Sequence, residues 1–115
     1  MKQVIIIIRT NHYFKTRNAL QKANFGAISE KEILGRGKKS GHYTAVTGEE
    51  SFANYSFSAK RMIEIYVRDE DVDRLIKTVV GVNRTGTQGD GKIFVLPAES
   101  VIRIRTGEKN IDAIM

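Results

Sequence analysis

The sequence predicts an α+β domain of the ferredoxin-like kind: a double βαβ unit with an antiparallel sheet and two helices on one face. Three observations predict it. An unbroken apolar run, Val4-Ile5-Ile6-Ile7-Ile8, stands next to the N-terminus. Two later segments carry apolar residues at spacings of three and four, and further extended segments fall between and after them in the order β-α-β-loop-β-α-β. All 115 residues fit one such domain, and 41% of them are hydrophobic, enough for a core.

The first strand spans Lys2 to Arg9, and its continuous apolar run predicts burial on both faces. Five apolar residues are too few for a signal-peptide core or a membrane span, which points to a cytoplasmic protein that does not cross a membrane. A helix follows over Asn11 to Asn24. Tyr13, Thr16, Leu20 and Ala23 form its inward stripe, Asn11 is its expected N-cap, and Gly26 helps to end it. The second strand runs from Ala27 to Leu34. From Gly35 to about Ala59 no periodicity is evident, and a stretch of that length inside a small domain is either disordered or functional. The third strand, Met62 to Arg68, alternates Met62, Glu64 and Tyr66 with Ile63, Ile65 and Val67. The second helix is capped by Asp69, favoured at its start by Glu70 and Asp71, and faces inward through Val72, Leu75, Ile76, Val79 and Val80. A fourth strand, Lys92 to Leu96, and an extended piece, Val101 to Arg105, complete the chain.

Charge and composition narrow the chemistry. A net charge of +6 favours an anionic partner without choosing among nucleic acid, nucleotide phosphates and acidic protein. The absence of cysteine excludes disulfides and thiolate metal sites. His12 and His42 have no metal-ligand spacing, so no metal site is expected.

The strongest local signal is Thr85-Gly86-Thr87-Gln88-Gly89-Asp90-Gly91-Lys92. Glycines let backbone N–H groups approach an anion, and a lysine adds the counter-charge. Gly86 to Lys92 fits GxxxxGK as a string, yet Ile93 replaces the magnesium-binding hydroxyl and the order is helix to strand, so it is not a P-loop. A plain glycine-rich turn accounts for the glycines equally well. On a strand, Arg103 and Arg105 share a face and suit a polyphosphate, although a solvated basic strand has the same pattern. Arg36, Lys38 and Lys39 open the long loop and Lys60 and Arg61 close it; such a run is usually just a solvated loop, although cations at both ends could converge on one anion. Gly91-Lys92-Ile93-Phe94-Val95 faintly echoes an RNA-binding strand, but Phe94 is its single stacking aromatic and is better placed in the core. A small nucleotide hydrolase is a further alternative, although no Ser-His-Asp set or carboxylate pair supports one.

Together these residues resemble the PII family of nitrogen and energy sensors. The family signature TGxxGDGKIF is matched by Thr85 to Phe94, RIRTGE by Arg103 to Glu108, and the family's usual ending by Asp112-Ala113-Ile114. The resemblance covers the whole chain as a single PII-like domain, residues 1–115, and looks closer to the nitrogenase-associated branch through Gly-Arg-Gly-Lys and Val82 to Gly86. It implies a signal transducer rather than an enzyme, built as a homotrimer with ATP or ADP in each cleft between subunits. Thr85 belongs to the matched signature. Gly89, Asp90, Gly91 and Lys92 would cradle the phosphates, and Arg103 and Arg105 would reach them from the adjacent subunit. Ile7, Ser29, Glu64 and Tyr66 fall where the family encloses adenine and ribose, and Gly35, Gly37 and Lys38 where the loop base meets the nucleotide. The segment from about Arg36 to Ala59 corresponds to the T-loop, which docks on targets such as nitrogenase, glutamine synthetase or an ammonium transporter. Lys60 matches the family's 2-oxoglutarate-pairing lysine. Lys39 stands where well-known members hold magnesium and 2-oxoglutarate through a glutamine. A cation offers Mg²⁺ no lone pair, which argues against both ligands. No nucleic acid partner is expected.

Overall fold

The computed structural model describes residues 1–38 and 55–114, with the backbone path alone at 36–38 and 55–57. Strand β1 (Lys2–Arg9) leads through a 3₁₀ turn, Thr10–His12, into helix α1 (Tyr13–Lys22). Strands β2 (Ser29–Lys38) and β3 (Tyr55–Val67) follow, then a 3₁₀ turn at Asp69–Asp71 and helix α2 (Val72–Asn83). Strand β4 (Lys92–Pro97) and the one-turn helix α3 (Ile111–Ile114) close the chain. The sheet order is β2-β3-β1-β4 and every neighbouring pair is antiparallel. This is the ferredoxin-like α+β arrangement that the element order predicts.

Strand alternation explains where the core sits. Val4, Ile6 and Ile8 of β1 are buried, and the register Val4↔Ile65 and Ile6↔Ile63 puts the buried residues of β3 on the same face. Tyr13, Thr16 and Leu20 from α1 and Leu75 and Val79 from α2 are buried together with them. Each large apolar side chain so buried stabilises the domain by roughly 1.5–3 kcal/mol. The two helices run antiparallel. His12, at the start of α1, bonds Asn83 at the end of α2, and Arg74, near the start of α2, donates to the Ala23 carbonyl at the end of α1.

The opposite sheet face is open, which corrects the expectation that β1 is buried on both sides. Ile5 and Ile7 are only half-buried, because both helices pack on the Val4-Ile6-Ile8 side. Phe94 is likewise not a core residue. It pairs with Ile5 on the open face and is 44% exposed.

Several element ends differ from the sequence pattern for local reasons. Neither Asn11 nor Asp69 caps a helix through its side chain, since each helix is entered through a 3₁₀ turn. The Asp69 carboxylate instead accepts from the Met1 amine at 2.5 Å. Asn24, not Gly26, takes the left-handed conformation after α1, with φ 67°. Residues 35–38 and 55–59, read as loop, are paired strand: the β2–β3 ladder continues from Gly35↔Ser58 to Lys38↔Tyr55. Gly35 and Gly37 lower intrinsic strand propensity, but backbone pairing with a partner rich in Tyr and Phe overrides it. The remainder of the expected T-loop, residues 39–54 including Lys39, lies outside the described residues. Val101–Arg105 is not a strand. Ile102 makes a single bridge to Lys109, and residues 104–106 turn between them.

Candidate functional site: a glycine loop on the sheet edge

The connection from α2 to β4 is ordered from within by one carboxylate. Asp90 accepts from the Thr85 amide at 2.8 Å, the Gly86 amide at 2.9 Å, the Thr85 hydroxyl, and Arg9 Nη1 at 2.6 Å. The Thr85 hydroxyl and amide, helped by the Arg9 guanidinium, hold the Asp90 carboxyl far below the usual carboxylate range. It is therefore an ionised structural anion, and a poor general base. Gly86, Gly89 and Gly91 adopt positive φ of 83°, 97° and 109°, the left-handed region that bends the loop back on itself. At Gly91 no other residue fits, because a Cβ would stand 1.9 Å from the Ile7 carbonyl oxygen.

Two cations close on this loop from neighbouring strands. Arg9 and Lys60 face each other across the β1–β3 ladder. Arg9 Nη2 donates to Thr87 Oγ1 at 3.1 Å and to the Gln88 carbonyl at 2.9 Å, while Lys60 Nζ donates to the Gly89 carbonyl at 2.7 Å. Lys92 begins β4 opposite Ile7 and is exposed. The result is a set of left-handed glycines beside Arg9, Lys60 and Lys92, an arrangement whose charge and exposed backbone are suited to an anion.

Arg61, expected to converge with Lys60, turns the other way. Neighbouring residues on a strand point to opposite faces. Arg61 lies on the helix side, bonds Glu30 at 2.7 Å and stacks over the Tyr13 ring at 4.6 Å.

Strand register places the other expected residues. Ile7, Ser29, Gly35, Gly37, Glu64, Tyr66 and Lys92 fall on the open face, given the pairs Ile7↔Lys92, Ser29↔Glu64, Gly35↔Ser58 and Gly37↔Ser56. The backbone of Lys38 is paired with Tyr55. Glu64 is held by Tyr66 Oη at 2.8 Å and Gln3 Nε2 at 2.9 Å, and this hydrogen bond together with burial raises the Tyr66 hydroxyl's pKa. A cavity of about 430 Å³ borders Tyr66, lined among others by Phe25, Gly26, Ala27, Val67 and Ile114. At roughly 3.3 Å per residue, Glu64 and Tyr66 stand roughly 13–20 Å along β3 from Lys60 and the glycine loop. Within one chain the Glu64–Tyr66 pair and the glycine loop are therefore separate groups that do not close into one pocket.

Arg103 and Arg105 are not side by side on a strand. Arg103 pairs with Glu108 at 2.7 Å and reaches the Ala113 carbonyl, while Arg105 is exposed in the turn that follows. Glu108, held by Thr106 Oγ1 and the Arg103 charge, has its pKa lowered.

Arg9 went unnoticed in the sequence. Its role depends on strand register, and the available signal was a cation two residues beyond Ile7 on the same strand face.

The family model described as nitrogen regulatory protein P-II matches residues 1–108. The chain is 42% identical over 121 residues to the nitrogen fixation nifHD1 region GlnB-like protein 2 of Methanosarcina barkeri, covering 95% of each chain. It is 40% identical over 114 residues to nitrogen regulatory protein P-II of Nostoc punctiforme, covering 99% of this chain and all of that one. Its fold matches the crystal structure of Arabidopsis thaliana PII bound to citrate with a TM-score of 0.76 and 32% identity, covering 98% of this chain and 88% of the other.

Proposed function

This chain belongs to the P-II family of nitrogen regulatory signal transducers, and from that premise we propose that it binds ATP or ADP and passes the signal to a target through residues 36–59. The observation that carries the reading is the glycine loop itself. Left-handed Gly89 and Gly91 expose backbone beside Lys92, Lys60 and Arg9, as phosphate recognition requires. Thr85 and Asp90 give the loop its shape, and Gly89, Gly91 and Lys92 are the phosphate-facing members.

The separation of the half-sites supports a homotrimer. Glu64, Tyr66 and Ser29, which pairs with Glu64, stand too far along the sheet from the same chain's glycine loop to enclose one nucleotide's base and phosphates with it, whereas Ile7 borders that loop beside Gly91 and Lys92. A neighbouring copy supplies the missing half, along with Arg103 and Arg105. The open face carries Ile5, Ile7 and the exposed Phe94 and Leu96, an apolar surface that suits another protein copy better than RNA. Kinship with proteins from nitrogen-fixation regions favours a nitrogenase-related target. The protein acts as a regulator and not an enzyme, since the loop offers no available base. Lys39 opposes magnesium-dependent 2-oxoglutarate binding.

Calorimetry with ATP, ADP and AMP, with and without magnesium and 2-oxoglutarate, tests this reading. The expected result is binding of an adenine nucleotide that weakens about tenfold or more in Lys92→Ala, the cost of one charge-assisted contact. Undiminished affinity in that variant refutes the site. Tight magnesium-dependent 2-oxoglutarate binding refutes the role given to Lys39.

A further inference from the structure

We propose that Arg9 is a positioning residue of the anion site, acting from behind the glycine loop and not as a phosphate ligand. The proposal deepens the functional reading above and rests on it. Both guanidinium nitrogens of Arg9 that carry paired protons are engaged: Nη1 by Asp90 Oδ1, and Nη2 by Thr87 Oγ1 and the Gln88 carbonyl. A planar, always-charged fork suits three acceptors at fixed directions, and that engagement turns the fork toward the loop backbone.

The consequence follows from peptide geometry. All peptide bonds described are trans, so the N–H of each unit points opposite to its C=O. Arg9 holds the Gln88 carbonyl, so the Gly89 N–H of the same unit points away from Arg9. Lys60 holds the Gly89 carbonyl, so the Asp90 N–H points away from Lys60. Two successive N–H groups are thereby aimed outward around a residue with φ 97°, the pattern of an anion-binding nest. Among the described residues neither N–H takes a hydrogen-bond partner. Arg9 also anchors the loop's exit through Asp90, whose carboxylate gathers the amides of Thr85 and Gly86 at its entry. One side chain on β1 thus fixes both ends of the loop and the orientation of its central peptide. The loop compensates in turn for the placement of Arg9 directly opposite Lys60, a like-charge pair that is unfavourable across a bare ladder.

The test uses the full chain and two readouts. ADP and inorganic pyrophosphate are titrated by calorimetry into the wild type, Arg9→Met and Arg9→Lys. Amide hydrogen exchange at Thr85 and Gly86 is followed in the nucleotide-free proteins. Arg9→Met is expected to weaken both ligands about tenfold and to speed exchange at Thr85 and Gly86, while the amides of Leu75 and Val79 keep their protection. Arg9→Lys keeps a donor and is expected to recover most of both effects. Weakened binding with unchanged exchange overturns the proposal, because it makes Arg9 a direct charge contact. Wild-type affinity in Arg9→Met overturns it as well. Should Arg9→Met fail to fold, Arg9→Gln retains two N–H donors without the charge and is expected to weaken binding and speed exchange at Thr85 and Gly86 more than Arg9→Lys does; exchange at the wild-type rate with lowered affinity again refutes positioning. If the wild type binds neither ligand, the functional reading fails. Exchange at Thr85 and Gly86 in Arg9→Met still decides the point, faster exchange supporting positioning and unchanged exchange overturning it.

Discussion

Gly91 shows how little freedom a single position can have. Its φ of 109° is strained for any L side chain, and its missing Cβ leaves room for the Ile7 carbonyl. Gly91→Ala must therefore shift β4 away from β1 or reshape the loop, and is expected to lower stability by about 1–3 kcal/mol and to abolish nucleotide binding. Urea unfolding together with calorimetry checks both effects. Asp90 sets a pH expectation. Its folded carboxyl titrates well below an unfolded aspartate, so its contribution is present above about pH 4 and fades as the pH falls below that. Amide resonances of Thr85 and Gly86 should therefore stay constant from pH 8 down to about pH 4, and movement near pH 5–6 would contradict the bonding described. The glycines and Lys92 were legible in the sequence because their meaning is local: a bend, a close approach and a charge on adjacent positions. Arg9 was not, since its meaning depends on which residues stand opposite it in the sheet. Arg103 and Arg105 were misread as strand neighbours because alternation implies a shared face only where a ladder partner exists.

Elements follow the same division. β1 was legible to the residue, since an unbroken run of branched apolar side chains has few other homes, and α2 declared itself through Leu75 and Val79. The entry turns at Thr10–His12 and Asp69–Asp71 were not legible, because a 3₁₀ turn and a capped helix start use the same polar residues. Nor did the pattern single out Asn83, a polar residue only 4% exposed. Its Nδ2 donates to Thr16 Oγ1 at 2.9 Å and to the Val79 carbonyl at 3.0 Å, which leaves its Oδ1 to accept from His12 Nδ1 at 3.2 Å. Thr16 meanwhile gives its own proton to the His12 carbonyl. Asn83→Asp would set carboxylate lone pairs against two acceptors with no proton to offer. It is expected to destabilise by about 1–3 kcal/mol, read as a lower urea midpoint, with a smaller loss for Asn83→Ala. An unchanged midpoint in Asn83→Asp would show that the network contributes nothing.

At the scale of the molecule, the open sheet face is the feature that a lone chain leaves unresolved. Light scattering should find a trimer, and Phe94→Asp, which puts a charge among Ile5, Ile7 and Leu96, should shift it to smaller species while the helix-side core stays folded by circular dichroism. A trimer that survives the substitution would move the interface elsewhere. The half-buried state of Ile5 and Ile7 also explains why an apolar run that reads as doubly buried is covered on one side only within one chain. The same sheet carries a mechanical consequence. Lys60 is fastened to Gly89 of the glycine loop, and the ladder continues from there without interruption to Lys38↔Tyr55. Five residues of strand make a lever arm of roughly 17 Å with its fulcrum at the glycine loop. A tilt of about 10° at that fulcrum carries the far end roughly 3 Å, a displacement large enough to break or make a hydrogen bond. On the proposed reading, an adjustment of the glycine loop around a phosphate is expected to be magnified where the ladder ends at Lys38↔Tyr55.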